Sequence, residues 1–214
     1  MAKPKVKRQY VFMPIKRLTF WTVLLMGLEM LGLFLWAVGM MLYMLAIGGT
    51  ILPPLLTFVG VCLFVPLVII SGIVSLIWVY SASRNAHVLR PGGMTSTPGW
   101  AVGWFFVPIA GLYKPYETLR DIWAASIGTT EGRHIGPPAL IALWWTLFVV
   151  GNLILRFSSS DISTGDVIYP STPSNWAFAF ALLVLLAATG CFYVLVRQIA
   201  RAQANADIRV VDQF

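Results

Sequence analysis

Glu29 is the only acidic side chain inside a long apolar stretch of this chain, which makes it the sharpest candidate for chemistry. A carboxylate at bilayer depth costs on the order of a few kcal/mol unless protonated, paired or hydrated, so such a residue marks a proton or cation site or the partner of a base. The structural alternative is a protonated Glu29 hydrogen-bonded to Ser71, Asn152 or backbone inside a helix bundle. Glu29 and Asn152 are therefore the candidate intramembrane polar site. Catalytic machinery of other kinds is missing. The sequence has no GxSxG, no HExxH and no phosphate-cradling loop. Its two histidines, His87 and His134, lie outside the apolar runs, so paired axial haem ligands within the helices are absent. Hydrolysis would need Glu117 or Asp121 to meet His134, and nothing in the spacing brings them together. Cys62 and Cys191 lie in apolar runs without a nearby His or carboxylate, which predicts neither a metal site nor a disulfide framework. No catalytic residue, metal or cofactor is expected.

A second group of residues is built for an interface. Trp100, Trp104, Phe105, Tyr113, Tyr116 and Trp123 crowd into residues 100–123, together with Pro108, Lys114, Pro115 and Arg120. Amphipathic aromatics with cations between them are the usual composition of a headgroup layer. Arg84 and Asn85 sit where an apolar run gives way to polar sequence. Arg84 either snorkels there or fixes the segment around residues 100–108. These residues form the candidate lipid- or partner-binding group: Arg84, Asn85, Trp100, Trp104, Pro108, Lys114, Pro115, Tyr116, Arg120 and Trp123.

The elements that must position both groups follow from hydropathy. Of 214 residues only 11% are charged, and mean hydropathy is +0.81. Four apolar runs occupy residues 18–47, 55–80, 137–155 and 176–196, each long enough to cross a hydrocarbon core of about 30 Å. Of the 15 Lys and Arg, 14 fall before the first run, between the second and third, or after the fourth; only Arg156 falls elsewhere. Basic loops stay cytoplasmic, so both termini and the middle segment are predicted inside. The formal charge of +7 has this membrane-flanking origin, and no separate basic stripe for nucleic acid exists. The first run is too long for a secretion signal and lacks a small-residue cleavage pattern.

Within run one, Leu25, Glu29, Gly32, Trp36, Gly39 and Tyr43 share a face suited to neighbouring helices, while Met30, Phe34, Val38, Met41 and Leu45 share the other. A turn through Gly48, Gly49, Pro53 and Pro54 links to run two, where Pro66 predicts a kink and Ser71 and Ser75 permit close contact. That helix extends to about Leu89, where Arg90-Pro91-Gly92-Gly93 stops it. Residues 95–113 are uncharged, with an apolar heart of about 14 residues broken by Pro108, which is short for a span and fits a re-entrant or interfacial hairpin. Pro115 opens a short amphipathic helix over residues 116–126, with Tyr116, Leu119, Ile122 and Trp123 toward the membrane and Glu117, Arg120 and Asp121 toward water. Run four is rich in Ala and Gly and continues as a helix carrying Arg201-Ala202-Gln203.

The passage from Arg84-Asn85 through Pro98-Gly99-Trp100-Ala101-Val102-Gly103-Trp104-Phe105-Phe106-Val107-Pro108 to Lys114-Pro115-Tyr116, with the Arg201-Ala202-Gln203 exit, resembles a bacterial membrane family known as domain of unknown function 4328. The likeness runs over about residues 18–203, with Gly111 standing where many relatives would carry Asn. It implies a multi-pass bacterial inner-membrane protein and supplies no activity, substrate or cofactor.

Together these readings predict an all-α membrane protein of four transmembrane helices, with a cytoplasmic-side hairpin and amphipathic helix between helices two and three. Residues 1–17 form a basic cytoplasmic tail, 18–203 one membrane domain with an interfacial segment at about 91–136, and 204–214 a second cytoplasmic tail. The expected role is non-enzymatic. The Trp/Pro-rich segment is predicted to bind anionic headgroups, a membrane protein or a second copy of the chain. Ion-coupled transport through Glu29 is the alternative, and lipid-headgroup chemistry with His87 or His134 stands behind both.

Overall fold

The computed structural model describes residues 10–44, 52–127, 139–158 and 175–211. Among the described residues there are six α-helices and no strand: α1 Lys16–Met44, α2 Leu52–Leu89, α3 Pro98–Gly103, α4 Lys114–Ile127, α5 Ala139–Ser158 and α6 Asn175–Val211. Two short 3-10 turns, Trp104–Phe106 and Ala110–Leu112, join α3 to α4. Helices α1, α2, α5 and α6 are each long and apolar enough to cross a membrane, as composition predicts.

Helix ends follow local chemistry. Helix α2 begins earlier than the expected Gly/Pro turn allows, because Pro53 and Pro54 fall in its first turn, where a missing N–H costs nothing. It runs on through Pro66 and stops at Leu89, after which Gly92 adopts φ +80°, a conformation that glycine takes without a Cβ penalty. Helix α4 starts at Lys114, two residues before its expected start. Helix α6 passes residue 203 and continues to Val211. The links at 45–51 and 159–174, Arg133 and His134 lie outside the described residues.

The contacts divide the chain into two compact units where the sequence led to one membrane domain. The first joins residues 1–19, 76–137 and 198–214; the second joins 20–75 and 138–197. No continuous polar stretch announces the first, because it is assembled from three separated pieces, each including an end of a long helix.

In the second unit the predicted faces of α1 show in part, with Leu25 and Trp36 on one and Met30 and Val38 on the other all half-buried. Glu29, Gly32 and Gly39 are buried, while Phe34 and Met41 are exposed. Leu33, Ala37 and Leu182 are buried together, with Trp36, Phe64, Leu155, Phe178 and Leu185 packed on them, so all four long helices contribute. The Trp36 ring lies 5.5 Å from Phe64 and 5.2 Å from Phe178, and Trp144 stacks on Phe192 at 4.8 Å. Glycine sets the closest approach. A Cβ on Gly60 would lie 2.6 Å from the Trp36 Cα, and one on Gly32 would lie 2.9 Å from the Phe64 backbone nitrogen. Larger residues would force α1 and α2 apart. The remaining surface is oily: exposed large apolar side chains run from Phe20 to Met41 on α1 and from Leu55 to Tyr80 on α2. At 1.5 Å per residue these bands measure about 32 and 38 Å, the thickness of a bilayer core plus part of its interface. Arg17 precedes the first band and Arg84 follows the second. An exposed apolar surface of this extent is compatible with a multi-pass membrane protein and foreign to a water-facing one.

In the first unit, Trp78, Ala82 and Ala86 of α2 are buried with Ala101 of α3, Leu119, Ile122 and Trp123 of α4, and Ile199 of α6. The face of α4 expected to meet a membrane is therefore covered by protein. Its amphipathic pattern required cover and did not specify which kind.

Candidate functional site

The buried carboxylate of Glu29 accepts a hydrogen bond from Ser71 Oγ across α1 and α2, and both residues are buried. Of Ser71, Asn152 and backbone, the expected partners, Ser71 is the one that bonds it. Asn152 is exposed on α5, where its Nδ2 donates to the Phe148 carbonyl at 2.8 Å, one helical turn back. The structure thus makes Glu29–Ser71 the polar contact, with Asn152 engaged locally.

In the first unit the polar side chains form a closed network around Asn85, which is wholly buried. The Met13 amide donates to Asn85 Oδ1 at 2.9 Å, and Asn85 Nδ2 donates to the Met13 carbonyl at 2.8 Å. One side-chain amide thereby grips both backbone groups of a non-helical residue ahead of α1, as a neighbouring strand would. Asn85 Nδ2 also reaches Gln203 Oε1 at 3.0 Å, and Gln203 Nε2 donates to the Ala82 carbonyl at 3.1 Å and Ser126 Oγ at 2.9 Å. Ser126 Oγ donates in turn to the Ile122 carbonyl at 2.7 Å. Four separated chain segments are joined through two amide side chains with no charge buried. Gln203 and Ser126 were missed as sequence signals, since an exit helix beside Arg201 reads as solvent-facing until its partner is known.

Around this network sit the aromatic and basic candidates. Thr97 caps α3 and Pro98 occupies its first turn. Trp100 and Trp104 lie 4.5 Å apart ring to ring, and Trp104 Nε1 donates to Ser96 Oγ at 3.0 Å. Lys114 Nζ donates to Glu117 Oε2 at 2.6 Å and lies 5.2 Å from the Tyr113 ring and 5.9 Å from the Trp104 ring. The bond to Glu117 holds the Lys114 ammonium above the ordinary lysine pKa. Asp121 is buried and accepts from Thr95 Oγ1 at 2.6 Å and from Arg120 at 3.1 Å. Sequence reading had placed that carboxylate in water.

The candidate group separates into two sets. Trp100, Pro108 and Tyr113 are exposed, with Lys114 and Tyr116 half-buried beside them, whereas Asn85, Pro115 and Trp123 lie inside the unit. Arg84 is half-buried and makes no hydrogen bond, ion pair or ring contact among the described residues, so Asn85 next to it does the anchoring. His87 Nδ1 donates to the Ser83 carbonyl at 2.8 Å, and its ring lies 5.0 Å from Tyr10. Gly111, where Asn was expected, donates its amide to the Val107 carbonyl at 2.6 Å; a Cβ there would lie 3.1 Å from the Trp104 carbonyl. Three buried polar atoms lack a partner among the described residues: Ser83 Oγ, Thr118 Oγ1 and Trp123 Nε1. Sequence reading also passed over Phe106, Ile109 and Leu112, which are large, apolar and exposed.

A family model described as domain of unknown function (DUF4328) matches residues 54–201, from the start of α2 into α6 and without α1. No curated protein and no solved structure matches the chain.

Proposed function

The chain belongs to the DUF4328 family, and on that premise we propose a non-enzymatic, multi-pass protein of a bacterial inner membrane that engages anionic lipid through its Trp/Pro-rich segment. Both termini and residues 91–136 face the cytoplasm in this reading, and that segment is an interfacial hairpin followed by α4. Residues 1–17 and 204–214 serve as tails of the membrane domain. The charge pattern supports it. The first unit carries 13 Lys and Arg against five Asp and Glu, a formal +8, and the second carries two against three, a formal −1. Cations concentrated beside apolar helices meet anionic headgroups on the inner leaflet.

The observation that carries the proposal is the uncharged stretch at residues 91–113, ending at Lys114, with Trp100, Phe106, Ile109, Leu112 and Tyr113 exposed. It belongs to a unit whose Lys16, Arg17, Arg84, Arg90 and Arg201 no ion pair occupies among the described residues. Native mass spectrometry in mild detergent tests it. The Trp104→Ala/Lys114→Ala variant should release phosphatidylglycerol that the parent retains, with melting temperature as the folding control. Unchanged retention by a folded variant removes the proposal.

One observation favours a second reading, proton- or ion-coupled transport. Glu29 is a buried carboxylate in a membrane-capable helix with a single hydroxyl partner. A Glu29→Gln variant that abolishes pH-gradient-dependent flux in proteoliposomes establishes it; absence of such flux from the parent protein dismisses it.

A further inference from the structure

Phe106, Ile109 and Leu112 are 72%, 80% and 58% exposed, spaced three residues apart on the two 3-10 turns and the Pro108 bend between them. Water is a poor place for three such side chains on one short tip, and two features of the tip say what covers them.

The first is that four amides of the tip, though not those of Ile109 and Ala110, are bonded within it. Val107 N donates to the Trp104 carbonyl at 3.4 Å and Gly111 N to the Val107 carbonyl at 2.6 Å. Leu112 N reaches the Ile109 carbonyl and Tyr113 N the Ala110 carbonyl, both at 3.2 Å. Pro108 brings no N–H that needs a partner. Each internal bond lowers the cost of taking this turn into a low-dielectric layer, where unpaired amides are expensive.

The second is that residues 105–112, Phe-Phe-Val-Pro-Ile-Ala-Gly-Leu, contain no side chain able to donate or accept a hydrogen bond. A protein interface carries roughly one hydrogen bond per 100–200 Å², and this tip offers none from its side chains. Acyl chains ask for none. At the base of the tip the chemistry changes at once: Tyr113 and Trp100 are amphipathic rings, and Lys114 holds its charge beside Tyr113 and Trp104. That order, apolar tip then aromatic collar then cation, is the profile of a bilayer from acyl boundary to phosphate.

We infer that residues 106–112 form a wedge whose Phe106, Ile109 and Leu112 enter the boundary between headgroups and acyl chains, with Trp100, Tyr113 and Lys114 at phosphate level. The inference deepens the lipid-binding proposal and rests on it, committing to hydrocarbon as the occupant and to three residues outside the original candidate group. All three are more than half exposed, so replacing them tests contact with lipid, with melting temperature as the folding control.

The experiment uses the full chain with Cys62→Ala and Cys191→Ala, carrying one cysteine at Ile109→Cys or, as a water-facing reference, at Asn205→Cys, which is exposed on α6. Each is labelled with an environment-sensitive dye and placed in nanodiscs of phosphatidylcholine with phosphatidylglycerol. Iodide quenching at position 109 should fall about fivefold below that at 205, while lipids spin-labelled near the top of the acyl chain quench 109 and spare 205. Adding Phe106→Ser and Leu112→Ser should restore iodide access at 109. Equal iodide access at 109 and 205, with no quenching by the spin-labelled lipid, overturns the wedge and leaves a protein partner as its cover. The two ideas fail separately. Lipid retention that still depends on Trp104 and Lys114 while position 109 is in water sinks only the wedge. A lipid-embedded position 109 with unchanged phosphatidylglycerol retention sinks only the anionic-lipid proposal.

Discussion

The two units solve the same problem, holding helices together, by opposite means. In the second, α1 and α2 approach through Gly60 and Gly32, and aromatic rings fill the space beyond; Glu29–Ser71 is an isolated polar contact between helices. In the first, Asn85 and Gln203 bind four segments through amide hydrogen bonds, and the surface carries the excess of positive charge. The difference fits the surroundings proposed for each. Where the surroundings are as apolar as the helices, burial gives little drive and close packing must do the holding. Where water competes, a buried polar network that is fully satisfied specifies one arrangement.

The largest effect should come from breaking the close approach. Gly60→Leu is expected to cost about 3 kcal/mol or more and to yield little monodisperse protein by size-exclusion chromatography. Gly72→Leu, on the same helix with nothing within 4 Å of its Cβ, should stay near the parent. Equal losses from both would show that glycine packing does not hold this unit. Next comes the polar network. Asn85→Leu strands the Met13 amide and carbonyl and the Gln203 Oε1 acceptor, so a loss of about 2–4 kcal/mol is expected in chemical denaturation. Proteolysis near residue 13 should rise with it. Combining it with Gln203→Leu should cost less than the sum by about 1 kcal/mol, because the two share a bond.

A smaller effect has the opposite sign. Thr118 Oγ1 is buried without a partner among the described residues, so Thr118→Val should stabilise the protein by about 0.5–1 kcal/mol, read as a higher melting temperature. The smallest concerns Lys114, whose pKa is raised by Glu117. A raised folded-state pKa contributes stability fully below the unfolded value and loses it only as pH rises through the folded one. Any gap in melting between the parent and Lys114→Met should therefore stay constant between about pH 6 and 9 and close as pH rises past the ordinary lysine pKa.

Much of the fold was legible because apolar runs and their stops are local signals. Arg90-Pro91-Gly92-Gly93 ended α2 where expected, and the inward face of α1 followed from Glu29, Gly32 and Gly39 on one stripe. What was illegible depends on partners far along the chain. Gln203 meets Asn85 across 118 residues, and no local pattern carries such a pairing. The α4 helix shows a finer limit. Leu119, Ile122 and Trp123 had to leave water, and periodicity says so, yet protein and lipid cover a stripe equally well. Phe106, Ile109 and Leu112 lie in a stretch that reads as interfacial throughout, and only the 3-10 turns single them out for exposure.

The central proposal is that both termini and the basic segment between α2 and α5 face the cytoplasm. Cysteine labelling in intact bacterial cells tests it most directly, using a Cys62→Ala/Cys191→Ala background with single cysteines at Asp166→Cys, in the segment joining α5 to α6, and at Asn205→Cys. A membrane-impermeant maleimide should label position 166 in whole cells and position 205 only after lysis. Labelling of position 205 from outside, or recovery of the chain in the soluble fraction without detergent, would contradict the account.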